Sequence, residues 1–548
     1  MTEFLPINRR LLLQTGALGL VGLSTPGAAQ ITRARGFSHG VASGEPTANS
    51  VLLWTRYVAD SDTLLRAELA EDAGFTKILA GAEATARGAS DHTAKVTVTG
   101  LPDNRWLYYR FVAPDGSMSP VGRTRTLPQG QCDRFALAVF SCANMGFGYF
   151  NAYRHAAERG DIDLAVHLGD YFYEYGYGTY PAAKQWVTGR DVQPTHETVA
   201  LADYRLRFAS YRADADLRRL HQLLPMIAQW DDHESANDTW QGGAQNHQPD
   251  EGEWQVRKAA AIKAYQEWMP VSDAPWRSYQ VGDLATIQLP ETRLTARSKQ
   301  FEYGDIIAGA GTGDIGAALR AFRDGAYQDP SRTMLGSEQE AWLARGLSDS
   351  VRNGTRWQVL AQQVIMGSTK SPVESLQWLP ANAPDYAKQR VQLGALAAQN
   401  GLPFNLDNWD GYPAARERIY TFAQAADANL VVLSGDSHNG WAFDLVAKDS
   451  KDGQPVGVEF AGHSVSSAGI ESSTRGVPPK DVAAALRRAN PHLKWCNTEN
   501  RGYMKVSFTR DIAASEWVFM DTVLDRSAAV KGSESMMVKR GTNRLVAG

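Results

Sequence analysis

Leu164-Ala165-Val166-His167-Leu168, followed by Gly169-Asp170-Tyr171-Phe172-Tyr173-Glu174, decides the reading of this chain. A short apolar run of this kind predicts a strand buried on both faces, and it breaks at a glycine, an aspartate and two tyrosines. Three other apolar runs end the same way. Phe135 to Phe140 leads into Ser141-Cys142-Ala143-Asn144, Leu223 to Trp230 into Asp231-Asp232-His233-Glu234, and Leu430 to Leu433 into Ser434-Gly435-Asp436-Ser437-His438-Asn439. Open α/β sheets bind ligands at the carboxyl ends of their strands, so these four ends predict one shared site. Taken singly, Cys142 reads as a buried thiol, Asp170 as a turn residue, Tyr173 as a core aromatic, and Asp232, His233 and His438 as caps or loop residues. Four strand ends that all carry ionisable clusters point instead to a polynuclear metal site.

Around these strands, amphipathic helices are expected at 150–159 and 338–347, and further strands at 456–460, 503–508 and 516–520. Residues 131–548 therefore read as an α/β domain. Before it the texture differs: short alternating runs at 50–56, 64–69, 94–99 and 106–113 are spaced like strands of a small antiparallel sandwich. The boundary falls near Leu127-Pro128-Gln129-Gly130, which gives a sandwich domain over 36–128.

The chain has 548 residues, 43% hydrophobic and 21% charged, which excludes disorder and leaves ample material for a core. With 56 basic against 60 acidic residues the net charge is -4, so no overall field favours nucleic acid or an anionic membrane. An anionic substrate must be met by local charge. Arg9-Arg10 ahead of Leu11-Leu12-Leu13 and a mild apolar run to Leu23, ending in Gly27-Ala28-Ala29, reads as a twin-arginine signal over 1–29 with cleavage before Gln30. The run is too short to span a bilayer, so the mature protein is expected without a transmembrane segment, exported folded by the twin-arginine machinery and periplasmic or secreted. Cys132, Cys142 and Cys496 cannot all pair, and whether Cys132 and Cys496 form a disulfide stays open.

Phe37-Ser38-His39-Gly40-Val41-Ala42-Ser43-Gly44-Glu45-Pro46, the later Leu53-Trp54-Thr55-Arg56, the stretches after strands 164–168, 223–230 and 430–433, and Trp409-Asp410-Gly411-Tyr412-Pro413-Ala414-Ala415-Arg416-Glu417-Arg418 together resemble the PhoD-type alkaline phosphatases, in family order over nearly the whole chain. The resemblance implies an immunoglobulin- or fibronectin-like N-terminal domain and a calcineurin-like metallophosphatase core, a four-layer sandwich of two sheets flanked by helices. It also implies hydrolysis of phosphomonoesters and phosphodiesters at an iron and calcium centre. By the same resemblance Asp170 matches the metal-bridging aspartate, and Tyr173 the tyrosinate position of purple-type phosphatases. Cys142 stands where many relatives have an aspartate. Asp232 replaces the asparagine before His233, and Asp436 replaces a histidine while His438 keeps the next one.

These replacements bear on metal identity. Cys142, Tyr173 and His438 suit a small trivalent iron, which depresses thiol and phenol pKa values. Asp232 and Asp436, with Asp170 bridging, form an oxygen-rich set that favours one or two calcium ions first and manganese or magnesium next. Ferric iron plus one calcium carries five positive charges, matched by Cys142, Tyr173, Asp170, Asp232 and Asp436. A metal-bound hydroxide would then attack a phosphate ester, with His233 contacting phosphate or protonating the leaving oxygen. Asn144 and Asn439 are weaker candidates for substrate contacts, whereas Glu174 and Glu234 read as acceptors that orient the ligands. Glu291, where relatives commonly have aspartate, receives no ligand role; Asp231 reads as a solvated neighbour of Asp232, and Arg293, Arg416 and Arg418 more readily as surface ion pairs than as phosphate contacts. Two other functions fit the same residues: a phosphodiesterase or phospholipase D-like hydrolase using this centre, and a noncatalytic exported binding protein with structural metals.

Overall fold

The computed structural model describes residues 34–311, 313–379, 385–474 and 476–548; the signal expected over 1–29 lies outside them. Two sheets face each other at the centre. The first has ten strands, in spatial order 545–547, 530–539, 512–520, 502–509, 134–140, 164–167, 226–228, 36–44, 50–58 and 93–99; the second has seven, in order 277–281, 285–289, 357–361, 430–434, 457–461, 440–445 and 493–497. The middle strands of both sheets run parallel: Arg134–Phe140, Leu164–His167 and Met226–Ala228 in one, and Ala285–Leu289, Trp357–Ala361, Leu430–Ser434 and Gly457–Ala461 in the other.

The two-residue alternation of a strand explains the layering. Leu137, Val139, Val166 and Ile227 point between the sheets, where they meet Ile287, Val359, Val431 and Phe460. Their neighbours Ala138, Phe140, Ala165 and Ala228 point outward beneath helices Asn151–Arg159, Leu201–Arg212, Ala215–Leu223 and Trp254–Trp268. On the far side, Leu360, Leu430 and Val432 pack under helices Gly336–Arg352, Pro413–Ala426 and Pro479–Ala489. The core is thus the expected helix–sheet–sheet–helix sandwich. The expected strand over 223–230 is shorter, Met226–Ala228, because Leu223 closes the preceding helix.

At the N-terminal end, strands Gly36–Gly44, Ser50–Val58 and Thr93–Thr99 face a four-stranded sheet, in order Ile78–Ala86, Thr63–Ala70, Trp106–Val112 and Gly122–Arg125. Val41, Val51, Leu65, Leu69, Tyr109 and Phe111 fill a separate core between them. This sandwich is not hung on a linker. Strand 36–44 pairs in parallel with strand 226–228 at Gly44 and Met226, which makes the large sheet continuous. Trp54 Nε1 donates to Glu267 O at 2.8 Å, and Lys95 Nζ donates to Val271 O at 2.7 Å. Gly44 is glycine for this approach: a Cβ there would lie 2.0 Å from Pro270 O and 2.8 Å from Met226 O. Cys132, Cys142 and Cys496 are all free thiols, with Cys132 in the core between the sheets and Cys496 under the outer helices. Among the described residues no helix is long and apolar enough to cross a membrane.

Candidate metal centre

The carboxyl ends of strands 134–140, 164–167, 226–228 and 430–434 converge, as their sequences predict. Three groups of ligand-type atoms form there, each with its atoms within 4.8 Å of one another: Cys142, Asp170 and His438; Asp170, Asp232 and His233; and Asp170, Asp231, Asp232 and Asp436. Asp170 belongs to all three. Two glycines let the strand ends meet. At Gly169 a Cβ would lie 2.3 Å from Asp231 Cβ, and at Gly435 it would lie 2.6 Å from Ser141 Cβ. Cys142, Asp170, Asp436 and His438 all hold left-handed backbone, with φ of 60°, 53°, 60° and 62°. Non-glycine residues in that region cost of order 1–3 kcal/mol each and persist where the surroundings over-determine them.

Those surroundings are visible. Glu234 bridges two strand ends: Asp170 N and Asp231 N donate to its Oε2 at 3.0 and 2.7 Å, and Tyr171 N donates to Oε1. Ala143 N donates to Asp170 O at 2.8 Å, tying a third end to them. His438 Nδ1 lies 2.7 Å from Ala468 O, an acceptor only, so Nδ1 carries the proton and Nε2 presents its lone pair 3.0 Å from Tyr173 Oη. Tyr173 Oη also lies 3.0 Å from Asp170 Oδ2 and receives Ser467 Oγ at 2.9 Å. His233 Nδ1 donates to Glu174 Oε2 at 2.6 Å, while Glu174 Oε1 accepts from Asn237 N and Asn246 Nδ2 at 2.7 and 2.8 Å. The Tyr173 ring lies on His233 with centroids 4.1 Å apart.

The electrostatics call for a cation. Burial, aggravated by neighbouring carboxylates, pushes the Cys142 thiol and the Tyr173 phenol well above their ordinary range and does the same to Asp170 and Asp231. Burial moves Asp436 up to about 7 and His438 down to about 4. Of the four clustered aspartates, Asp232 is the one whose pKa goes down: burial opposes ionisation there, but Arg293 and His233 outweigh it. Asp170 Oδ1, Asp231 Oδ2 and Asp232 Oδ1 are buried and receive no hydrogen bond. Unpaired buried carboxylate oxygens are costly unless a positive ion accepts them, so the donor set fits a hard cation beside a thiol–phenol–imidazole set.

Two residues differ from their sequence expectation. Asp231 is buried rather than solvated, and Arg293 is fully buried rather than at the surface. The Arg293 guanidinium donates to Asp231 Oδ1 at 2.5 Å and Asp407 Oδ2 at 2.6 Å, and Nη2 stands 3.7 Å from Asp232 Oδ1 and 3.5 Å from Asp436 Oδ1. Arg416 and Arg418 pair with Asp410 and Glu340. Glu291 Oε1 accepts from Arg293 N and Leu294 N, both at 2.7 Å, a loop clamp that positions Arg293. Asn144 spends Oδ1 on Gly146 N and Nδ2 on Tyr180 O; Asn439 spends Oδ1 on Ile470 N, so both fix the loops around the centre. Ser467, which contacts Tyr173, carried no sequence signal, because it arrives from a loop 294 residues away.

The family model of the PhoD-like phosphatases matches residues 137–517, and the model of their N-terminal domain matches 23–128. The chain belongs to the PhoD-like phosphatase family. Alkaline phosphatase D of Bacillus subtilis strain 168 is 31% identical to this PhoD-like phosphatase over 571 aligned positions, which cover 96% of this chain and 86% of that protein. A solved structure of PhoD superposes with a TM-score of 0.76 at 29% identity, over 94% of this chain and 92% of that one. Membership makes this PhoD-like chain a phosphoric ester hydrolase, and the convergent strand ends are where its chemistry is to be sought.

Proposed function

We propose that this PhoD-like phosphatase is an exported, metal-dependent alkaline phosphatase acting on phosphomonoesters and phosphodiesters. In this reading Cys142, Tyr173 and His438 would hold ferric iron, Asp232 and Asp436 would hold calcium, and Asp170 would be shared by the two sets, with Asp231 beside the calcium set. The observation that carries it is the convergence of a thiol, a phenol, two imidazoles and four carboxylates, three of whose oxygens are buried without a donor. When bound, such cations would supply Lewis acidity toward phosphoryl oxygens and offset the carboxylate charge.

The protein's own residues do the rest. Glu174 fixes the His233 ring through Nδ1, so Nε2 is the atom free to give a proton to a departing alkoxide; nearby Asp232 and Glu174 overcome burial and hold His233 protonated well above its usual range. Arg293, pinned by Asp231 and Asp407, keeps Asp232 ionised for a cation and holds the strand-end carboxylates in register. Export rests on Arg9-Arg10 and the leader that follows them. The test is elemental analysis of protein exported by a host with a twin-arginine pathway, followed by rates on a monoester and a diester before and after calcium-selective chelation. Stoichiometric iron, loss of turnover on chelation and recovery with calcium are expected. Full activity in iron- and calcium-free protein overturns the reading.

A further inference from the structure

Beyond Glu174 the chain carries Tyr175, Tyr177, Tyr180 and Trp186, a concentration of aromatic residues that the metal centre does not use. Tyr175 places its ring 5.4 Å from the His233 ring and 5.7 Å from Tyr180, and Tyr180 lies 5.8 Å from Tyr173. Tyr173 is buried, whereas Tyr175 and Tyr180 are half-buried, so the rings form a wall that starts at His233 and runs outward. Core packing accounts for Tyr173. Tyr175 and Tyr180 keep part of their surface open to solvent, and their hydroxyls make no hydrogen bond among the described residues.

The wall is fixed, not a loose flap. The buried guanidinium of Arg207 donates to Tyr173 O and, at 3.1 Å, to Tyr175 O, and its other arm reaches Pro194 O at 2.9 Å and His196 O at 3.1 Å. Phe147 meets Tyr180 edge-on at 4.9 Å, which anchors the wall to the turn that bears Cys142. A preformed aromatic face beside a proton donor acts on whatever group leaves past that donor. Were phosphate held at the centre with His233 on the leaving side, a substituent on the leaving oxygen would run along Tyr175 and Tyr180.

We propose that Tyr175 and Tyr180 form the leaving-group subsite and select phosphate esters whose leaving group is a planar aromatic ring, as in aryl alcohols and nucleosides, over small alkyl esters. This rests on the reading of His233 as the group facing the leaving oxygen. An aromatic contact is worth roughly 2- to 12-fold in affinity, so two rings give a preference of about tenfold. The test measures calorimetric binding of phenylphosphonate, a nucleoside phosphonate and methylphosphonate to the full metal-loaded chain. None of these is hydrolysed, so leaving-group chemistry does not enter. The wild type should bind phenylphosphonate about tenfold tighter than methylphosphonate. That ratio should collapse toward one in Tyr175→Leu and Tyr180→Leu and persist in Tyr175→Phe, with melting curves showing all variants folded. The nucleoside analogue separates the two sources, since tighter binding than phenylphosphonate points to nucleotides and weaker binding to aryl esters. A wild-type ratio near one, or a ratio that survives both leucine substitutions, overturns the subsite while leaving the phosphatase reading standing. Failure of the wild type to bind any phosphonate or to turn over any ester overturns both.

Discussion

Replacing Gly169 by alanine tests whether the site depends on close approach of strand ends, and Gly160→Ala is the control. Both glycines hold left-handed backbone, with φ of +97° and +82°. At Gly160, which ends helix Asn151–Arg159, an added Cβ meets nothing within 4 Å, so the cost is the left-handed conformation alone, about 1–2 kcal/mol. At Gly169 the Cβ would sit 2.3 Å from Asp231 Cβ and 2.4 Å from Asp231 N. Carbon atoms pack at about 3.5–4.0 Å, so the two strand ends must part by more than an ångström. Neither neighbour is a flexible side-chain tip, and the hydrogen bonds from Asp170 N and Asp231 N to Glu234 must stretch with them. Overpacking of this kind adds about 1–3 kcal/mol, and an ångström of misplacement in a reacting site costs about 10²-fold in rate. Thermal unfolding and turnover of nitrophenyl phosphate should therefore show Gly160→Ala slightly less stable and fully active, and Gly169→Ala distinctly less stable with activity down by about 10². Equal melting temperatures and equal rates in the two variants would refute the argument.

Three further outcomes are expected. Purified enzyme should absorb visible light through thiolate- and phenolate-to-iron charge transfer, and Tyr173→Phe should shift the band; an active, colourless, iron-free preparation removes the iron assignment. Asp436→Asn should weaken calcium retention without releasing iron, read by metal analysis during calcium-selective chelation, and restoration by zinc better than by calcium would contradict the oxygen-rich assignment. His233→Ala should slow an alkyl phosphate by about 10²–10⁴ with metals retained and slow a nitrophenyl ester much less, because a good leaving group departs without a proton. Equal losses on both esters would make His233 a phosphate contact instead of a proton donor.

The strand ends were legible because their signal is local: an apolar run buried on both faces, then residues that burial would penalise. Cys142, Asp170, Asp232, Asp436 and His438 meet as that pattern implies. What escaped the sequence was whatever depends on distant segments. Asp231 looks solvated until Arg293 arrives from 62 residues away. Arg207 reads as one more basic residue on a helix, yet it is buried and holds five loop carbonyls, those of Tyr173, Tyr175, Gln193, Pro194 and His196. The sandwich was legible from its alternation and turns, but a single register pair, Gly44 with Met226, joins it to the core, and no periodicity encodes a partner strand 182 positions on.

That junction also bears on how the chain tolerates being cut. Strand Met226–Ala228, whose loop carries Asp231, Asp232 and His233, is an interior strand only because the N-terminal sandwich covers its flank. Without residues 36–99 it would become an open border with unpaired amides, ready to recruit a strand from another molecule. The indole of Trp54, which covers the buried Arg212 guanidinium at 4.2 Å, would leave with it and uncover that charge. The small sandwich therefore works as the selvedge of the large sheet, and a minimal enzyme trimmed to the α/β part would fray at the strand that delivers Asp231, Asp232 and His233.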